Sequence, residues 1–221
     1  NVDPYHAFPT YKMLRDKGLN VKGIMGQWGH NYPDQPNIHQ NMSSGYGAEA
    51  FPKVTRMDWS IELYNWFNYY LKGIGPEPES QVQIQRNDGE WHVEETWPSS
   101  DIEERVYYLS ENVLSDFRGS GKVNVNTPQT LGMSSGYNCP GMRIENELPS
   151  DQSQDDNISI CFDTDPLNDD LELLGEPRLE FEFSADKPVA YLIARICEVN
   201  KDGISERITK GFLFINTGSK C

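Results

Sequence analysis

The 221 residues predict a small αβα unit followed by an all-β sandwich. Three observations carry this. Helical and strand patterns alternate up to about residue 72. The stretch GIGPEPES, residues 73–80, is a Pro/Gly/Glu connector of the kind that separates domains. Beyond it, nearly every apolar run is short, rich in β-branched and aromatic residues and bounded by turn clusters, the pattern of a sandwich. The expected domains are residues 1–75 and 76–221.

The elements follow in order. PYHAFPTYKMLRDKG places Ala7, Phe8, Tyr11 and Leu14 on one helical face and closes on Lys17 and Gly18, a C-terminal signal. Pro9 falls in the opening turns, where proline is better tolerated than deeper in a helix. LNVKGIM then reads as a short, half-buried strand. In DWSIELYNWFNYYLKG, Asp58 is placed to cap a helix and Gly73 to stop it. Trp59, Leu63, Trp66, Phe67, Tyr70 and Leu71 recur at the spacing of one buried face, so its aromatics read as core packing rather than a cofactor box. After the connector, QVQIQ, WHVEETW, RVYYLS, KVNVN, ISICF, RLEFEFS, AYLIARICEV and GFLFIN read as strands, with RNDGE and NKDGIS as turns. Residues 131–157, rich in Gly, Ser, Asp and Pro, read as a long surface loop.

Composition narrows the function classes. A hydrophobic share of 37% with 11% aromatics suits a folded soluble protein. A net charge of -15 argues against nucleic acid as a partner, because phosphate binding needs a basic face. No apolar run approaches the roughly 18 residues of a membrane span, so no membrane partner is expected, and nothing at the start resembles a signal peptide. A cytoplasmic location is the default expectation. The chain opens on Asn1 without a methionine, which reads as numbering that begins inside a longer protein or as removal of an upstream segment. The four cysteines, Cys139, Cys161, Cys197 and Cys221, show neither a CxxC nor a zinc-ligand spacing and read as thiols, with a disulfide such as Cys139 to Cys161 left open.

The candidate for chemistry is His30, in GQWGHNYPDQP (residues 26–36), on the loop leaving the expected strand. That is where α/β-hydrolases keep the base of a Ser-His-Asp triad. One imidazole nitrogen must reach the serine hydroxyl while a carboxylate holds the other, fixing the tautomer and stabilising the imidazolium. A lone histidine in a turn is more often structural, and composition alone does not separate the two readings. Trp28 either walls such a site or packs under its loop. One G-x-S-x-G match exists, GMSSG, with Ser134 at its centre. A nucleophile elbow needs a strand before it and a helix directly after it; YNCPG follows instead, and Ser134 comes after His30 in the chain, so it is set aside. DTDPLNDD, residues 163–170, offers oxygens to calcium but lacks the glycine and terminal glutamate of an EF-hand loop and reads as a polar turn. His6, His39 and His92 have no metal-ligand spacing, and no metal or cofactor is expected.

The stretches DPYHAFPTYKMLRDKGLNVKGIMGQWGHNYPD, DWSIELYNWFNYYLKG and VQIQRNDGEWHVEETWP, in that order, resemble the end of the catalytic domain and the start of the following domain in Xaa-Pro dipeptidyl-peptidases. That serine-hydrolase family includes cocaine esterase and α-amino-acid ester hydrolases. The later FDTDPLNDDLELLGEPRLEFEFSADKPVAYLIARICEVNKDGISERITKG is similar to the family's C-terminal jelly-roll, galactose-binding-like domain. The resemblance implies an α/β-hydrolase remnant over residues 1–75 followed by a jelly-roll over 76–221, short at its C-terminus and so left with an unpaired edge strand. It implies that His30 is the triad histidine and that Asn1 contacts the substrate near its amino end. In the related D-x-N-V pattern the triad aspartate would stand two positions before Asn1; Asp3 is the alternative acid, although its place before Pro4 suits a helix-capping carboxylate. The serine would lie upstream, leaving this chain inactive alone. The implied partner is a peptide or small ester or amide substrate, and a homo-oligomer stays open. Two alternatives stand beside the dipeptidyl-peptidase: an ester or amide hydrolase of the cocaine-esterase kind, and a carbohydrate-binding jelly-roll module with Trp91 and Trp97 stacking on sugars.

Overall fold

A computed structural model describes residues 4–26, 56–86, 90–133 and 151–216. It is built mostly of small β sheets with few helices, consistent with a C-terminal β-sandwich domain. The described residues gather into two compact units, one up to Glu103 and one from Glu104 onward.

The first unit holds helix α1 (Pro4–Asp16), strand β1 (Gly23–Met25), helix α2 (Arg56–Lys72) and strands β2 (Val82–Gln85) and β3 (Trp91–Glu94). Helix α1 ends as its sequence predicts. Gly18 takes φ +75°, a left-handed value that a side chain would oppose, and the amides of Gly18 and Leu19 bond back to the carbonyls of Arg15 and Leu14 at 2.8 and 3.2 Å, a Schellman closure. Strand β1 pairs in parallel with β2, from Gly23 opposite Val82 to Met25 opposite Ile84, and β2 pairs antiparallel with β3. Helix α2 falls in the chain between the two parallel strands, which no tight turn could join. The core of this unit is small: Tyr11 of α1 is 3% exposed and Val82 is 0% exposed, and a Cβ on Gly23 would sit 3.4–3.5 Å from both.

Helix α2 departs from expectation in two ways. It begins at Arg56, so Asp58 stands inside its first turn rather than at its cap position. Its predicted core stripe is also largely open, with Leu63, Phe67 and Tyr70 exposed and Leu71 74% exposed, while Asn68 is the buried position. Apolar spacing specifies a stripe that could be covered; it does not supply the surface that covers it.

The second unit holds β4 (Tyr108–Ser110), β5 (Val113–Ser115), the short helix α3 (Ser153–Asp156), β6 (Val189–Val199) and β7 (Ser205–Asn216). Strands β4 and β5 form a hairpin whose two connecting residues, Glu111 and Asn112, both have positive φ, the requirement of a type I′ turn. Strands β6 and β7 form the longest ladder, of 11 and 12 residues, shifted by a bulge at Ile196/Cys197. The predicted NKDGIS turn closes it: Gly203 at φ +78° donates to the Asn200 carbonyl at 3.0 Å, and the Asn200 side chain accepts from Asp202 and Ile204 at 2.9 and 3.0 Å. Three expected strands, KVNVN, ISICF and RLEFEFS, lie in no named strand among the described residues; the sole pairing there is a bridge from Asp163, next to ISICF, to Val113. Alternation describes two faces of a ribbon, whereas a strand needs a neighbour's backbone, and these runs have none described. The expected loop over 131–157 instead contains α3 near its end.

Candidate functional site

His30, Asn1 and Asp3 lie outside the described residues, as do Ser134, Trp28 and His39. The frame leading toward His30 is described. Ser80 Oγ accepts from Arg15 Nη1 at 2.6 Å and from the Val21 amide at 3.3 Å, and donates to the Val21 carbonyl at 2.8 Å. The Gly23 amide then bonds to the Gln81 carbonyl at 2.9 Å, so the connector residues clasp the chain as it enters β1. Asn20 Nδ2 donates to Glu77 Oε1 at 3.2 Å and to the Tyr70 hydroxyl, and Lys22 Nζ meets Glu62 Oε2 at 2.8 Å. Contacts from α1, α2 and the connector therefore fix the chain just before β1, three to five residues ahead of Met25.

Strand β3 carries a pair that the sequence reading passed over. His92 and Glu94, two apart on a strand, share one face, and His92 Nε2 lies 2.7 Å from Glu94 Oε1. The carboxylate is buried and the ring half exposed. A carboxylate on one imidazole nitrogen orients the ring and sets its tautomer, as in a triad, yet among the described residues no hydroxyl or thiol completes a nucleophilic pair with it. H-x-E inside a predicted strand was the available signal. On the same strand's extension, Trp97 is 7% exposed and stacked on Phe8 with ring centroids 4.2 Å apart, so its faces are not open to a sugar.

The second unit has one dense polar cluster. Arg195 on β6 donates to Gln152 Oε1 at 2.8 Å, to Asp156 Oδ1 at 2.8 Å and to Ser159 Oγ at 3.1 Å, with Asp155 Oδ2 at 3.7 Å. A guanidinium satisfies several acceptors at once from a planar fork, which suits one cation holding a short helix by two carboxylates. The segment around α3 is also tied to β7, through the Gln152 amide to the Ser205 carbonyl at 2.7 Å and the Ser205 amide to Ser153 Oγ at 3.1 Å. Asp151 accepts from the Ser153 hydroxyl at 2.6 Å and its amide at 2.9 Å, which holds its carboxyl below the usual range. The free thiols of Cys161 and Cys197 border the cluster, and burial pushes both upward. An arginine inside the apolar run AYLIARICEV marked this site in the sequence; its partners, some forty residues earlier, carried no such mark.

Among the described residues no group of three or more His, Cys, Asp or Glu side chains is arranged to hold a metal ion, the DTDPLNDD stretch included. None of the described helices is long and apolar enough to cross a membrane.

No curated protein and no solved structure matches the chain. Residues 73–217 match the family described as the X-Pro dipeptidyl-peptidase C-terminal non-catalytic domain. The match bears out the resemblance from residue 73 to residue 217, and it concerns a domain that does not itself perform catalysis. The chain belongs to the family of X-Pro dipeptidyl-peptidase C-terminal non-catalytic domains.

Proposed function

We propose that this chain is the C-terminal portion of a serine hydrolase that releases Xaa-Pro dipeptides from peptide N-termini through an acyl-enzyme. The observation that carries the reading is the order of parts: the family match over residues 73–217 follows directly on a segment with His30 placed after a short strand. Residues 1–75 would then be the end of an α/β-hydrolase domain and residues 76–221 the jelly-roll that follows it. His30 takes the proton of the attacking serine and returns it to the leaving amine. Asn1 lies against the substrate's amino end, and the acid that holds His30 precedes Asn1, with Asp3 the weaker candidate. The one G-x-S-x-G match, around Ser134, is followed by YNCPG rather than a helix-forming run, so in this reading the nucleophile comes from another segment of the parent protein. Without the serine and the oxyanion donors, the remaining histidine contributes little, since those groups act as a unit.

A fluorophosphonate probe tests this. The 221-residue chain should not be labelled, and the same chain joined to its upstream segment should be labelled and should cleave Xaa-Pro amides. His30→Ala in that longer protein should lower kcat by a factor of about 10⁴ or more. Labelling of the 221-residue chain that disappears in Ser134→Ala would instead mean a complete site within these residues.

A further inference from the structure

Cys161 and Cys197 stand 36 positions apart in the chain but meet the same few groups. Cys161 closes the segment that runs from α3 across the hairpin; its Sγ donates to the Asp156 carbonyl at 3.6 Å, and the carboxylate of that same Asp156 is bonded to Arg195 at 2.8 Å. Cys197 follows Arg195 by two residues on β6, hence on the same face of the hairpin, at the register shift where the extra residue, Ile208, belongs to β7. Ser205, whose amide bonds to Ser153 of α3, lies on β7 opposite Val199 and so diagonally across from Cys197. The Arg195 side chain, reaching Asp156 and Ser159, brings the 151–161 segment to the face that carries Cys197, while the Asp151–Glu206 bridge, the Gln152 amide on the Ser205 carbonyl and the Ser205 amide on Ser153 Oγ fasten the same segment along the edge of β7. The electrostatics agree. Both thiols feel Asp156 and Arg195, Cys161 also feels Asp163 and Cys197, and Cys197 also feels Arg207.

We propose that Cys161 and Cys197 are a reversible disulfide site that fastens the α3 segment covalently to β6. With a small-molecule disulfide such as oxidised glutathione as oxidant, one cysteine thiolate attacks a glutathione sulfur, forming a mixed disulfide and releasing one glutathione thiolate. The second cysteine thiolate then attacks the protein sulfur of that mixed disulfide and expels the other glutathione. Two cysteine thiols lose two electrons in total, the oxidised glutathione gains them, and the two thiol protons end on the two reduced glutathiones. Burial keeps both thiols protonated beyond the ordinary range, so the exchange is slow at neutral pH and quickens as the pH rises. The bridge would close the chain from 161 to 197 and hold covalently the segment that ion pairs and hydrogen bonds from Arg195 and Ser205 otherwise hold.

The test uses the full 221-residue chain carrying Cys139→Ser and Cys221→Ser, treated with excess oxidised glutathione at mildly alkaline pH. The expected result is loss of both remaining titratable thiols, an intact mass lower by two hydrogens, a single Cys161–Cys197 linked peptide after proteolysis, and return of both thiols with dithiothreitol. Stable glutathione adducts on either cysteine, a disulfide between two chains, or two thiols still free after treatment would overturn the proposal. Should the double variant fold poorly, peptide mapping of the unaltered chain reads the same linkage, and pairing of either cysteine with Cys139 or Cys221 counts against it.

Discussion

The sheet of the first unit and the hairpin of the second make opposite use of their strands. Strand β1 is only three residues long, yet Tyr11, Gly23 and Val82 close over one another at its start. The β6–β7 ladder runs for eleven residues, yet Val189, Tyr191, Ile193, Phe212 and Phe214, all on one of its faces, are exposed. Ladder length and burial are thus separate quantities. Hydrogen bonds between strands fix register, while stability follows the apolar surface that a second layer removes from water. In the first unit a helix side chain supplies that layer, and the glycine opposite makes room for it.

The largest effect should come from charging the sealed point. Val82 is wholly buried and, with Tyr11, lines the space beside Gly23, so Val82→Asp places a carboxylate where water does not reach it. A loss of about 3–5 kcal/mol is expected, read as a lowered urea midpoint. An unchanged midpoint would mean that this packing contributes little to the unit's stability.

Next comes the polar counterpart in the second unit. Arg195→Ala leaves Asp155 and Asp156, both well shielded, facing each other without their shared cation. The expected cost is about 2–3 kcal/mol, below that of a fully buried pair because the carboxylates keep some contact with water. Faster amide exchange in residues 151–161 should accompany it. Arg195→Lys should recover only part of the loss, because one ammonium cannot span the positions that the guanidinium reaches.

These two sites also show what the sequence could and could not say. The C-terminus of α1 was legible because Lys17-Gly18 is a local instruction, and so was the Asn200–Gly203 turn, since each needs a residue tolerant of one backbone conformation. Tyr11 was legible as a core residue from helical spacing. The exposed stripe of α2 and the RLEFEFS run, which lies in no strand among the described residues, depart from expectation for a common reason: both patterns announce apolar faces, and neither encodes a partner. The Arg195 cluster joins residues some forty positions apart, a distance at which no periodicity operates. His30 rests on resemblance and on its place after β1, and the family match begins beyond it, at residue 73.

A smaller effect, of opposite sign, is expected at Tyr11. Its ring is buried, and its hydroxyl has no hydrogen-bond partner among the described residues. A buried hydroxyl without a partner costs free energy that the ring alone does not, so Tyr11→Phe should raise stability by about 1 kcal/mol. Tyr11→Ala, which removes the layer itself, should lower it by several times as much. The two variants together separate the contribution of the ring from that of the oxygen. A Tyr11→Phe variant less stable than the parent would mean that the hydroxyl does find an acceptor in solution.

The smallest effect belongs to the open face of the hairpin, and it is the sharpest check on the contrast with Val82. Tyr191 is 73% exposed and Phe212 is 72% exposed. Folding removes little of either side chain from water, so little transfer free energy is lost when one is truncated. Phe212→Ser should therefore change the unfolding free energy by no more than about 0.5 kcal/mol, although phenylalanine is the larger residue and Val82→Ala at the sealed point should cost more. The ladder itself should persist, because Phe212 contributes its backbone to the pairing with Ile193 whatever its side chain. A loss of about 2 kcal/mol or more in Phe212→Ser would show that this face is covered in solution, and ladder length and burial would then not be separate quantities in the second unit.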